Sequence, residues 1–166
     1  MVLVCHKHPF IFLKTRKTAG TSVEMALETL CVPPGQKIVE YHPVQKSEYG
    51  IVGRRGDDYK LTGLKRPLRY WEWRNHQSAA FVRRMLGQRD WDARPKITSI
   101  RNPFDRMVSY YHYAASFMTA PPTEFSEIRA AFRDFCHGSK WKDDHRIVHL
   151  KGKYIIDHAI RFEHLT

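Results

Sequence analysis

No apolar run in this sequence is long enough to cross a membrane, and no secretory leader pattern opens it. The apolar residues before Lys14 are few and are broken by charges. The expectation is a cytoplasmic protein, or one from which an anchor has been removed. Cysteine is scarce. Cys5, Cys31 and Cys136 are widely spaced and odd in number, which argues for free or buried thiols rather than a disulfide framework. Acidic residues are in deficit, with 17 Asp and Glu against 28 Lys and Arg, for a net charge of +11. A basic surface favours anionic ligands. No helix-turn-helix, zinc-finger or RNP signature accompanies the charge, so nucleic acid is not an expected partner. Metal-binding patterns are also wanting. CHKH, residues 5 to 8, offers only two histidines one residue apart near a terminus, and the i,i+4 pair His145 and His149 has no acidic or cysteine partner to complete a motif.

What the chain does have is enough apolar content for a core. Of 166 residues 42% are hydrophobic, which predicts one compact domain over residues 1–166 without linkers or repeats. Periodicity and breakers predict a strand at about 10–14 and a helix at about 18–30, stopped by CVPPG. A second strand is expected at 37–41. Residues 43–70, rich in Gly, Arg, Lys and Asp, read as long loops. A helix over 76–87, a strand over 96–100 and a helix over 103–118 follow. Helices at 124–136 and 143–150 and a strand at 154–162 complete the chain. This alternation predicts an α/β fold: a single P-loop-like domain whose mostly parallel sheet is flanked by helices on both faces.

The segment FIFLKTRKTAGTSVEMAL, residues 10–27, carries the most chemistry. A strand, a basic glycine-containing loop and a helix start make an anion site, because a helix N-terminus presents unpaired N–H groups and partial positive charge. Lys14, Arg16 and Lys17 add cationic side chains, Gly20 permits close backbone approach, and Thr18, Thr21 and Ser22 supply hydroxyls. The loop is not the nucleotide motif GxxxxGK[ST], since Lys17 precedes Gly20 in KTAGTS.

A second segment, KITSIRNPFDRMVSYYHY at 96–113, repeats the arrangement. Asn102 suits a helix N-cap, Pro103 the first helical position and Asp105 the first turn. Arg101 then falls at a strand's carboxyl end, where open α/β sheets bind ligands. Ser109 lies about two turns along the helix, so Arg101 and Ser109 flank a candidate second anion.

Together these segments resemble the sulfotransferase family, specifically its carbohydrate-modifying branch. The family's 5′-phosphosulfate loop looks like PKTGGTS, against Arg16-Lys17-Thr18-Ala19-Gly20-Thr21-Ser22 here. Its 3′-phosphate segment looks like RNPxDRxxSxYxY, against residues 101–113 here. HQSAAFVRRMLG at 76–87 resembles the family's H-x-S-A helix, and AIRFEHL at 159–165 its RFExL segment. Arg16 replaces the usual proline and Ala19 a usual glycine. Family members usually continue with at least one more helix, so the resemblance implies a compact or a truncated member.

The resemblance implies transfer of a sulfuryl group from 3′-phosphoadenosine-5′-phosphosulfate (PAPS) to a hydroxyl, with a carbohydrate as the expected acceptor and no metal. Lys17 would stabilise the leaving oxygen. Lys17, Thr18, Ala19, Gly20, Thr21 and Ser22 would hold the phosphosulfate, and Arg101 and Ser109 the 3′-phosphate. His76 is the candidate base, because imidazole titrates near neutrality. His42 and Glu72 stand behind it. Tyr70, Trp71 and Trp73 are candidates to stack on sugar rings or to fill the core. Two other classes stay open: a P-loop-like kinase or nucleotide hydrolase, and a silent nucleotide- or glycan-binding protein.

Overall fold

The computed structural model describes residues 2–56, 72–138 and 143–165. Tyr70 and Trp71 lie outside them. The chain opens with two short apolar strands, β1 (Val2–Cys5) and β2 (Phe10–Leu13), paired antiparallel from Val2↔Leu13 to Cys5↔Phe10. The CHKH segment therefore forms the end of β1 and part of the turn into β2. After β2 come α1 (Gly20–Glu28), β3 (Gln45–Lys46), β4 (Gly50–Val52), α2 (Ala79–Leu86), α3 (Gln88–Asp92) and β5 (Lys96–Ile100). The remainder is α4 (Pro103–Ala115), α5 (Phe125–Gly138), α6 (His145–Val148), β6 (His149–Leu150), β7 (Lys153–Tyr154) and β8 (His158–Arg161). A 3-10 turn at Phe162–His164 follows β8.

Six strands form one mixed sheet in the order β3-β4-β1-β2-β5-β8, and β6 and β7 pair separately. β2 with β5 and β5 with β8 run parallel. β1 with β2, β1 with β4, and β3 with β4 run antiparallel. The expected mostly parallel sheet is therefore corrected to a parallel half joined to an antiparallel half. β1 with β2 and β3 with β4 are joined by turns too short for a helical crossover, so each pairs as an antiparallel hairpin, and β4 then adds antiparallel to the other edge of β1.

The central strands read as unbroken apolar runs because both faces are covered. Leu3, Cys5, Phe10 and Phe12 pack with Val23 of α1, while Val2, Val4, Ile11 and Leu13 pack with Ala79 and Val82 of α2, Trp91 of α3 and Ile147 of α6. Fully burying such side chains contributes roughly 1.5–3 kcal/mol each. Trp73 belongs to this second cluster and meets Phe81 edge-on at 6.3 Å, so its role is core packing.

Several boundaries move for identifiable reasons. α1 starts at Gly20 rather than near residue 18, because Lys17 and Ala19 adopt left-handed φ of 58° and 54° that no right-handed helix admits. The expected strand at 37–41 does not form. Arg55 Nη1 instead donates to the Val39 carbonyl at 3.1 Å, and only His42 makes an isolated bridge, to Arg55. The region read as loops contains β3 and β4. The helix expected from residue 76 begins at Ala79, where the Ser78 hydroxyl accepts from Phe81 N at 3.2 Å and caps it. The helix expected at 143–150 shortens to α6 and passes into β6.

α1 turns Glu24 and Glu28 inward, 0% and 1% exposed. Buried carboxylates are costly unless paired. Glu24 accepts from Lys14 Nζ at 2.8 Å and has Arg55 Nε at 3.8 Å; Glu28 pairs with Arg55 Nη2 and faces His42 Nε2 at 3.5 Å.

Candidate active site

The carboxyl ends of β2, β5 and β8, the parallel strands, open onto one cleft of about 660 Å³. β2 leads into the loop 14–19, β5 into Arg101, and β8 into Phe162. Thr98 Oγ1 donates to the Leu13 carbonyl at 2.6 Å and fixes the ends of β2 and β5 to each other. Of the residues singled out in the sequence, Lys14, Arg16, Lys17, Ala19, Gly20, Thr21, His76, Arg101 and Ser109 line this cleft. Thr18 and Ser22 do not. Ser22 is exposed.

The Thr18 hydroxyl is spent inside the protein. Thr15 Oγ1 donates to the Ser99 carbonyl at 2.5 Å, so it accepts from Thr18 Oγ1 at 2.9 Å. Thr18 Oγ1 must then accept from Ser99 Oγ at 2.8 Å. This closed chain of hydroxyls ties the loop to β5 and leaves only backbone groups of Thr18 for a ligand.

The three loop cations are not equivalent. Lys14 is committed to Glu24 and to Thr21 Oγ1, each at 2.8 Å. Accepting that bond leaves the Thr21 hydroxyl proton free to point into the cleft. Arg16 is committed to Asp144, Nη1 to Oδ1 at 2.5 Å. Lys17 alone of the three faces the cleft without a carboxylate among the described residues; its Nζ lies 4.4 Å from the centre of the Tyr113 ring. Burial, and then the positive charge of Arg101, hold its pKa below the ordinary lysine value. Arg101 stacks its guanidinium 4.1 Å from the Phe162 ring, and its buried Nε has no hydrogen-bond partner among the described residues. Two cations that repel each other, one with an unsatisfied buried donor, are what an anion would relieve.

The backbone around them is strained. Lys17, Ala19 and His76 account for three of the four positive-φ non-glycine residues described, and each lines the cleft. Left-handed conformation costs such residues about 1–2 kcal/mol each, and such strain collects at functional sites. Gly20 makes room: a Cβ there would sit 2.8 Å from Lys14 Cγ.

His76 stands in the turn before α2, and its Nδ1 lies 3.1 Å from the Lys14 carbonyl. A carbonyl only accepts, so Nδ1 carries the proton and Nε2 the lone pair. Burial foremost, with nearby positive charge including Arg16 and Lys14, pushes its pKa down to about 3 against the opposing pull of that hydrogen bond. The imidazole is neutral at ordinary pH. His42 instead faces Glu28 beneath α1, and Glu72 lies 3.8 Å from Arg54; neither lines the cleft.

Tyr113 and Phe162 also line the cleft, beyond the residues that the sequence marks out. Tyr113 falls four residues after Ser109 on α4, hence on the same helix face, and that spacing is a signal the sequence did carry. Asn102 caps α4 by accepting from Phe104 N at 2.9 Å, with Pro103 following. Among the described residues no group of His, Cys, Asp and Glu is placed to hold a metal ion, and no helix is long and apolar enough to cross a membrane.

A family model described as the sulfotransferase family matches residues 1–146. No curated protein and no solved structure matches the chain.

Proposed function

The chain belongs to the sulfotransferase family, and from that premise we propose that its cleft moves a sulfuryl group from PAPS to a hydroxyl on a carbohydrate. The observation that carries this reading is the pairing of Lys17 with Arg101: two mutually repelling cations at the ends of adjacent parallel strands, in one cleft with Ser109. A nucleotide bearing phosphates at both its 3′ and 5′ positions carries one anionic group for each cation. The unsatisfied Nε of Arg101 and the close approach allowed by Gly20 fit such a donor.

PAPS supplies an already activated sulfuryl group. The protein's task is then positioning and charge stabilisation, as in phosphoryl transfer. Lys17 offsets the charge that builds on the departing phosphate oxygen. The N–H groups opening α1 and the Thr21 hydroxyl hold the 5′ end in a P-loop-like cradle, and Arg101 and Ser109 hold the 3′-phosphate. His76 takes the acceptor proton on Nε2, with Nδ1–H anchored on Lys14, once the bound donor's negative charge has raised a proton affinity that burial and nearby cations hold down. The acceptor side is supported by an aromatic ledge. Tyr113 and Phe117, 50% and 67% exposed, meet edge-on at 5.0 Å where α4 leaves the cleft, and suit the apolar face of a sugar ring.

Calorimetric binding of 3′-phosphoadenosine-5′-phosphate, the desulfated nucleotide, against AMP tests the donor. The bisphosphate is expected to bind more tightly. Arg101→Ala should weaken it by about 10- to 150-fold, the equivalent of ~1.5–3 kcal/mol for a charged hydrogen bond. Equal affinity for AMP and the bisphosphate in the unaltered protein refutes the assignment.

A further inference from the structure

Asp144 lies 128 residues beyond Arg16 in sequence, yet its carboxylate, 7% exposed, takes hold of the anion loop directly. Oδ2 accepts from the Arg16 backbone N–H at 2.9 Å, and Oδ1 accepts from Arg16 Nη1 at 2.5 Å. Oδ2 also accepts from Arg106 Nη2. Arg106, on α4, closes the arrangement by donating Nε to the Arg16 carbonyl at 2.9 Å. The peptide N–H on one side of Arg16 and the carbonyl on the other are thus both held by side chains.

We propose that Asp144, working with Arg106, is a positioning residue for sulfuryl transfer: it fixes the backbone from which Lys17 projects. The proposal rests on the transfer function above. The Arg16 carbonyl belongs to the peptide plane that leads into Lys17, and the φ of Lys17 is the rotation about the bond that follows that plane. A lysine at φ 58° stays there only if its surroundings hold it. Arg106 on the carbonyl and Asp144 on both Arg106 and the preceding N–H supply that hold. Arg16 explains why a carboxylate is needed. A proline at this position, as in the resembling loop PKTGGTS, has no N–H to satisfy and a ring that restricts φ. Arginine has a free N–H and free rotation, and Asp144 removes both freedoms.

A competing role makes the opposite prediction. If Asp144 only neutralised Arg16 and Arg106, removing its charge would raise the positive potential of the cleft and tighten anion binding. The test is Asp144→Asn, read by calorimetry with 3′-phosphoadenosine-5′-phosphate, by transfer rate, and by amide hydrogen exchange without ligand. Positioning predicts about tenfold weaker bisphosphate binding, a larger fall in kcat than in binding, and at least tenfold faster exchange over residues 16–20 with β5 unchanged. Arg16→Pro added to Asp144→Asn should recover most of each loss, which no general loss of stability would allow. Arg106→Gln, which frees the Arg16 carbonyl and keeps the Asp144–Arg16 pair, should reproduce the exchange effect and serves if Asp144→Asn does not fold. Unchanged exchange at 16–20, bisphosphate binding as tight as before or tighter, or no rescue by proline overturns the proposal. The exchange readout stands whether or not the bisphosphate is the ligand. Failure of the unaltered protein to prefer the bisphosphate therefore counts against the donor assignment, not against the clamp.

Discussion

Two groups of basic residues lie on either side of the start of α1, and they are built on opposite rules. Beneath the helix, Arg55, His42 and Lys14, which also reaches the cleft wall, face Glu24 and Glu28, and every one of the five is less than a tenth exposed. In the cleft, Lys17 and Arg101 face each other, and neither pairs with a carboxylate among the described residues. Burial demands that charge be balanced. The first group meets that demand within the protein; the second leaves it to a ligand. Lys14 and Lys17 sit three residues apart in one basic loop, so the difference between structure and function is set by direction alone.

The sharpest way to break the comparison is to unbalance the paired group. Glu28→Gln leaves Arg55 and His42 without their nearest carboxylate. Removing one partner of a buried pair costs about 3–5 kcal/mol, so denaturant unfolding should show a loss of that order. Affinity for the bisphosphate, measured where the variant is still folded, should not change, because Glu28 does not line the cleft. A stable variant with weakened nucleotide binding reverses the assignment of the two groups.

Lys17→Ala is the reciprocal experiment. Loss of one preorganised donor at a site of developing charge costs about 10²–10³ in rate. Turnover should fall by that factor and donor binding by less, because the lysine acts mainly at the transition state. Stability should hold, since the change removes repulsion from Arg101 rather than a pair. Near-normal turnover removes Lys17 from the mechanism.

The sequence made the cleft readable and the buried group unreadable, for a physical reason. Asn102, Pro103 and the KITSI strand are local signals, a cap, a fixed φ and an apolar run, and the structure keeps each where the chain placed it. Their effect is to bring Arg101 to the end of β5, and the same logic brings the loop to the end of β2. The antiparallel half had no such signals. β1 is four apolar residues before a turn without glycine or asparagine, and β3 and β4 are two and three residues long. Glu24 and Glu28 look like the outer face of a basic-loop helix until Arg55 and His42 are brought under it by pairings of long range. Asp144 has no local signal at all, since its partner is Arg16 at the other end of the chain.

His76 sharpens the comparison by pH. Its pKa is about 3 in the folded protein against an ordinary 6.5. Between these values the unfolded chain binds a proton that the native state refuses, so stability falls as pH falls. The contribution of the neutral imidazole is complete above about 6.5 and is lost as pH drops through about 3. His76→Gln should flatten the pH dependence of unfolding in that window. Bound bisphosphate offsets the surrounding positive charge, so a titration of the His76 ring by NMR should move upward when it is added. A ring that titrates near 6.5 with or without ligand overturns this account of its environment, and with it the argument that donor charge raises the base's proton affinity.

The smallest effect separates two adjacent residues. Ala19 holds φ 54°, where an L side chain is strained, and Gly20 opens α1 with no such φ. Ala19→Gly releases about 1–2 kcal/mol of left-handed strain and returns about 0.4–1 kcal/mol through the greater freedom of the unfolded chain. The net expectation is a gain of between about 0 and 1.6 kcal/mol, read as a small rise in Tm. Gly20→Ala should go the other way, because its new Cβ meets Lys14 Cγ at 2.8 Å. Lys14 is flexible enough to move aside, but it is held by Glu24 and Thr21, and moving it breaks into the buried group. The glycine is thus required at 20 by packing and preferred at 19 by conformation. If Ala19→Gly destabilises and Gly20→Ala is neutral, Lys14 is not the fixed wall between the two charge groups, and the division between them fails at its seam.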